Sequence, residues 1–145
     1  MQHKNRNKYL LIILLFILLS AVGYYLFPKN KKTDSLDFTL QGQTELNAGT
    51  IVMKVWDSNA EDGDSIQVFF EGKMIADTLA ILNNYVEYKL GKLSAGEYLL
   101  GVKAINEGMV SPASATISLN DGKTEKEFSM DAWIDSAASW KVILK

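Results

Sequence analysis

Nineteen consecutive residues without a charge, Tyr9 to Phe27, constrain this chain more than any other stretch. A helix rises about 1.5 Å per residue, so the run reaches about 28 Å, close to the hydrocarbon thickness of a bilayer. A soluble core helix keeps a polar face, and this run has none. Tyr9, Tyr24 and Tyr25 stand where interfacial rings belong, and Ser20 with Gly23 offers a small-residue face through which such a helix docks on another. The segment reads as one transmembrane signal-anchor helix over 9–27. A basic cytoplasmic tail, 1–8, precedes it with Lys4, Arg6 and Lys8, and a polar linker opened by Pro28 follows over 28–35.

A second reading takes the same segment as a cleaved signal peptide. It has a basic start, an apolar stretch from Leu10 to Leu19, and Ala21 and Gly23 spaced for a peptidase that would cut after Gly23. Apolar residues continue through Tyr24-Tyr25-Leu26-Phe27, which favours the uncleaved anchor. Lys29, Lys31 and Lys32 match the three cations of the tail, so flanking charge leaves orientation tied. A short basic tail before the first hydrophobic segment sets the amino end inside. The expected place is the inner (cytoplasmic) membrane, single-pass, with the C-terminal domain on the periplasmic side. The alternative is secretion after cleavage.

The remaining chain, 36–145, is long enough for one core. With no cysteine and a single histidine, His3, the sequence carries no disulfide framework, thiol nucleophile, cysteine zinc site or Ser-His-Asp triad. All seventeen acids lie from Asp34 onward against nine lysines, Lys54 and later, leaving −8 on the chain from Asp34 to its end. Such a surface disfavours nucleic acid and anionic lipid. No pairing of nucleophile and base stands out, so the expectation is a protein that is not an enzyme.

From Leu36 onward apolar residues recur at every second position, the period of a half-buried strand. The stripes are Leu36, Phe38 and Leu40; Ile51, Met53 and Val55; Ile66, Val68 and Phe70; Val86, Tyr88 and Leu90; Tyr98, Leu100, Val102 and Ala104; Ala115, Ile117 and Leu119; Phe128 and Met130; and Trp140, Val142 and Leu144. About eight antiparallel strands with turn signals between them predict an all-β sandwich. Glu71-Gly72 and Asp121-Gly122 predict two tight hairpins, since glycine supplies positive φ. Met74 to Leu82 reads as a strand or an irregular crossover.

Within the stretch Leu93-Ser-Ala-Gly-Glu-Tyr-Leu-Leu-Gly-Val-Lys-Ala-Ile-Asn-Glu-Gly108 the chain resembles bacterial immunoglobulin-like domains. Their late strand often alternates in this way, and Tyr98 is placed as a tyrosine-corner residue with Leu100 where antibody domains carry their second cysteine. Trp56-Asp57, Asp62 to Gly72, Ala104 to Gly108 and Asn120 to Lys123 further resemble small secreted or membrane-anchored immunoglobulin-like β-sandwich domains of Gram-negative envelopes. The resemblance covers roughly Ile51 to Leu144 and implies an immunoglobulin-like sandwich without implying an activity. The chain departs from that pattern in Glu71-Gly72, where asparagine-glycine is commoner, and in keeping only Pro112 after the Asn-Glu-Gly turn.

Asp57, Asn59, Glu61, Asp62 and Asp64 crowd one loop, and hard oxygen ligands at alternating loop positions are what Ca²⁺ takes. The EF-hand pattern is not met, because Gly63 is one place late and Val68 stands where the closing glutamate belongs. The plainer reading is a solvated Asp/Asn/Gly turn. Asn106, Glu107 or Asp121 add ligands only if their loops share that end of the sandwich. Among the tryptophans, Trp140 keeps phase with Val142 and Leu144 and is expected inward, whereas Trp133 sits in a loop-like stretch and is the candidate contact residue. Two functions follow as expectations. One is a non-catalytic, membrane-tethered binding module, an accessory subunit among other envelope proteins, held in lipid through 9–27. The other is an exported calcium-dependent carbohydrate- or matrix-binding domain.

Overall fold

Alternation of apolar and polar residues drives each stretch to bury one side, and the computed structural model, which describes residues 38–145, resolves these stretches into nine strands. The tail, the transmembrane segment with Tyr9, Ser20, Gly23, Tyr24 and Tyr25, and the linker lie outside the described residues. The strands are β1 (Phe38–Leu46), β2 (Gly49–Trp56), β3 (Asp64–Phe70), β4 (Lys73–Ala80), β5 (Val86–Leu93), β6 (Gly96–Glu107), β7 (Ala113–Asn120), β8 (Glu125–Ala132) and β9 (Ala137–Leu144). They form a five-stranded sheet, β1-β9-β6-β3-β4, and a four-stranded sheet, β5-β2-β7-β8. Every pairing is antiparallel except β1 with β9. The ninth strand is β4, an edge strand that takes up the Met74–Leu82 stretch as far as Ala80 with Leu79 alone of its residues buried, while Ile81 beyond it enters the core.

The core lies between the sheets. Ile51, Met53 and Val55 of β2 meet Ile66 and Val68 of β3, Leu100 and Val102 of β6, and Ile117 and Leu119 of β7, with Met130, Val142 and Leu144 closing the set. Trp140 points inward as expected and stacks on Phe128 of the opposite sheet, ring centroids 4.2 Å apart. The first stripe behaves differently. Between Leu40 and Gly42 the register of β1 against β9 shifts by a residue, and a one-residue slip moves side chains to the other face. Leu40 is therefore 55% exposed, and Phe38 lies on the outer face against Phe69. Leu46, beyond the bulge, enters the core. At the bulge Gln41 bonds β8 as a strand would: its Nε2 donates to the Asp131 carbonyl at 2.6 Å and its Oε1 accepts the Asp131 N–H at 3.0 Å.

Glu71 and Gly72 both take positive φ, 52° and 71°, and form the expected two-residue hairpin between β3 and β4. The second hairpin is longer than expected, since Asp121 to Thr124 all lie between β7 and β8. Asp121 holds it together. Its Oδ1 accepts the N–H groups of Lys123 (2.8 Å) and Thr124 (2.7 Å), and its Oδ2 accepts both nitrogens of Asn47 at 2.8 Å. These donors, the Asn47 N–H foremost, hold the Asp121 carboxyl far below the usual aspartate range. A depressed folded-state pKa contributes stability above the unfolded value, about 3.9, and loses it as pH falls through the folded value. Asp121→Asn is therefore expected to melt below the wild type at pH 7, with the gap narrowing as pH drops under about 4. Thermal melts in a buffer series check this, and a gap constant down to about pH 2 would contradict it.

Candidate functional site

The strand directions gather the loops β2–β3 (57–63), β4–β5 (81–85), β6–β7 (108–112) and β8–β9 (133–136) at one end of the sandwich. Because β1 runs parallel to β9, its first residue, Phe38, also lies at this end. Backbone bonds tie the loops together: the Asp57 N–H donates to Leu82 O at 2.8 Å, Ile81 N–H to Asp64 O at 3.0 Å, and Met109 N–H to Asp62 O at 3.1 Å.

The acidic loop divides into two groups with different work. Asn59 and Glu61 face the β4–β5 loop, where Glu61 Oε1 accepts the Asn83 N–H at 2.6 Å and the Asn59 carbonyl accepts Asn83 Nδ2 at 3.1 Å. Asp57, buried at the end of β2, caps its own turn by accepting the Asn59 N–H on Oδ1 at 2.7 Å. Asp62 and Asp64 face the β6–β7 loop instead. Asp62 Oδ2 accepts the Val110 N–H at 2.9 Å, and Asp64 Oδ2 accepts the Ser114 N–H at 3.1 Å. The remaining oxygen of each, Oδ1, is sealed from solvent and has no hydrogen-bond partner. Burial pushes the Asp64 carboxyl above the usual range; the Ser114 N–H works against this, while the charge of Asp62, a side-chain hydrogen bond with it and the charge of Asp57 add to it.

These two acids line a cleft of about 440 Å³ walled on its other side by Met109, Val110, Ser111 and Pro112. Gly108 leaves room for the pair: a Cβ there would lie 2.5 Å from Asp62 Oδ1 and 2.7 Å from Asp64 Oδ1, and its φ of +60° suits glycine. Sequence reading did not single out Gly108, because its neighbours lie more than forty positions away in the chain. Of the three further ligand candidates, Asn106 and Glu107 belong to this end and Asp121 to the opposite one. Asn106 clips the loops, donating Nδ2 to Gly63 O at 2.9 Å and accepting the Gly108 N–H at 3.1 Å. Glu107 Oε1 accepts the Ile134 N–H at 2.7 Å, which joins the β6–β7 and β8–β9 loops. The Ser111 hydroxyl, and then that N–H, hold the Glu107 carboxyl below its ordinary range.

Among the described residues, no three His, Cys, Asp or Glu side chains stand together as a metal-holding group. What the end does present is apolar: Met109 is 84% exposed, Val110 69%, Ile134 55% and Trp133 40%. No protein-family model, no curated protein and no solved structure matches the chain.

Proposed function

We propose that the protein is a non-catalytic binding module, tethered in the inner membrane by 9–27 with its sandwich outside the cytoplasm, and that it serves as an accessory subunit of an envelope protein complex. The observation that carries the reading is the exposure of Met109, Val110, Trp133 and Ile134 on two loops that Glu107 fastens together. Clustered apolar side chains on held loops lose little conformational freedom on docking and gain buried area. The immunoglobulin-like assignment is part of the proposal. In its support, the Tyr98 hydroxyl donates to the Ser94 carbonyl at 3.0 Å, four residues upstream near the start of β6, as a tyrosine corner does. Neighbouring β3, β6 and β9 stand as strands C, F and G do, and β2 pairs β5 as B pairs E. The β7–β8 hairpin, inserted before β9, is an addition to that plan.

The test is the size of the full-length protein extracted from its native membranes in mild detergent. A species larger than the monomer is expected, lost in a Met109→Ser/Ile134→Ser double variant and kept in Lys123→Ser at the opposite end. A monomer in every preparation would overturn the reading. The calcium-dependent carbohydrate or matrix binder remains the second reading, favoured by Trp133 standing half-open at the same end. A glycan array left blank in the presence of calcium would remove it.

A further inference from the structure

Carboxylate oxygens sealed from water need a proton or a cation between them, and two of them at the loop end receive no hydrogen bond from any other group. Asp64 is only 4% exposed, and its Oδ1, like Oδ1 of Asp62, is shut off from solvent without a partner. Both atoms lie within 2.7 Å of the point where a Cβ on residue 108 would stand, so they converge against the Gly108 methylene. Their second oxygens are already held by the Val110 and Ser114 N–H groups, which fixes how the first ones aim. No lysine compensates them: the ion pairs among the described residues are Lys54–Glu125, Lys141–Glu97 and Lys145–Glu45, all formed by acids outside the loop.

We infer that the converging Asp62 and Asp64 carboxylates bind one calcium ion beside Gly108, in the wall of the loop-end cleft that both acids line. The choice of ion follows from the donors. Oxygen alone, without imidazole or thiolate, excludes the soft and borderline metals. Two carboxylates completed by loop carbonyls, a hydroxyl such as Ser111 and water make an irregular set, which Ca²⁺ accepts and Mg²⁺, needing a near-ideal octahedron, does not. With no third carboxylate in the group, affinity falls at the weak end of calcium sites, on the order of 10⁻⁴–10⁻³ M, the range of extracellular modules. The ion joins the β2–β3 loop to the β6–β7 loop and so stiffens the strip that carries Met109 and Val110. The inference stands apart from the binding reading, since the ion can be titrated with no partner present.

The experiment is calorimetric titration of CaCl2 into the full-length protein in detergent, with melting temperature followed in parallel. One ion per chain is expected, and a rise in Tm of roughly 4–8 °C at about tenfold over Kd. Asp62→Asn keeps an acceptor for the Val110 N–H and is expected to weaken binding at least about tenfold, the change that loss of one ligand charge brings. Asp135→Asn, an exposed acid on the β8–β9 loop, is expected to bind as the wild type does. Asp64→Asn reads the same loss should Asp62→Asn fail to fold. Absence of both heat and Tm shift up to about 10 mM calcium would overturn the site, as would wild-type affinity in either aspartate variant. An equal response to MgCl2 would overturn the choice of calcium.

Discussion

Trp140→Ala is expected to cost about 3–4 kcal/mol, the lower part of the range for removing a large aromatic from a packed site, because the ring is partly rather than wholly covered. In a domain of this size that is a fall in Tm of roughly 10–20 °C. The reason lies in where the ring sits. Trp140 belongs to β9 and Phe128 to β8, strands of different sheets, and their rings stack at 4.2 Å with planes 7° apart. The stack closes the side of the sandwich that Gln41 also bridges from β1 to β8. Gly42 makes room for it, since a Cβ there would collide with the indole ring. Removing the indole leaves Phe128 without its partner and opens a gap that Gly42 cannot fill. Trp140→Phe is the informative companion. The indole N–H is buried without an acceptor, so phenylalanine keeps the ring contact while discarding an unpaired donor, and its cost is expected below about 1.5 kcal/mol. Urea unfolding of both variants measures the difference; equal losses would show that a phenyl ring recovers nothing at this position, and that the fit of the whole indole rather than the stack sets the stability here.

What could be read from the sequence depended on how local its cause was. Strands β2, β3, β6, β7 and β9 were legible because each buries a full stripe of alternating residues in one core, as Ile51-Met53-Val55 and Leu100-Val102-Ala104 do. Edge strand β4 was ambiguous because only Leu79 of its eight residues is buried, which leaves period two faint. The stripe Phe38-Leu40 shows its period in the sequence but not the face it takes, because the bulge at Gln41 is made by pairing with β9, a hundred residues later, and leaves no mark in the local pattern. The acidic loop was conspicuous, and its internal division was not. Glu61 turns toward Asn83, 22 residues away, and Asp64 toward Ser114, 50 residues away, so the partition belongs to the topology. Asp121 shows the same limit in reverse: its composition suits a ligand, and the antiparallel plan puts it at the far end, bonded to Asn47.

Gly101→Val is expected to release β1 while leaving the rest of the sandwich folded. Gly101 sits in β6 opposite Phe69 of β3 and Ser139 of β9, on the outer face of the five-stranded sheet. Phe38 lies over it: a Cβ at residue 101 would come within 2.6 Å of the Phe38 ring, which itself packs edge-on against Phe69 at 5.6 Å. This cap explains why Phe69 is only 6% exposed although it faces away from the core. Valine expels the ring, uncovers Phe69, and removes the one aromatic anchor of β1 on that face, at an expected cost of about 2–3 kcal/mol. The loss is local because β1 is an edge strand hydrogen-bonded only to β9, with Gln41 as its link across to β8. Hydrogen exchange should therefore show protection lost over Thr39–Leu46 and kept at Leu100, Val102 and Ile117. Phe38→Ala supplies the control. If the clash is the cause, the double variant costs less than the sum of the two single ones, since the valine then meets no ring. Additive losses, or a β1 that stays protected in Gly101→Val, would mean that parallel pairing with β9 holds the strand without the aromatic cap, and that the chain entering at Phe38 is secured by backbone hydrogen bonds alone.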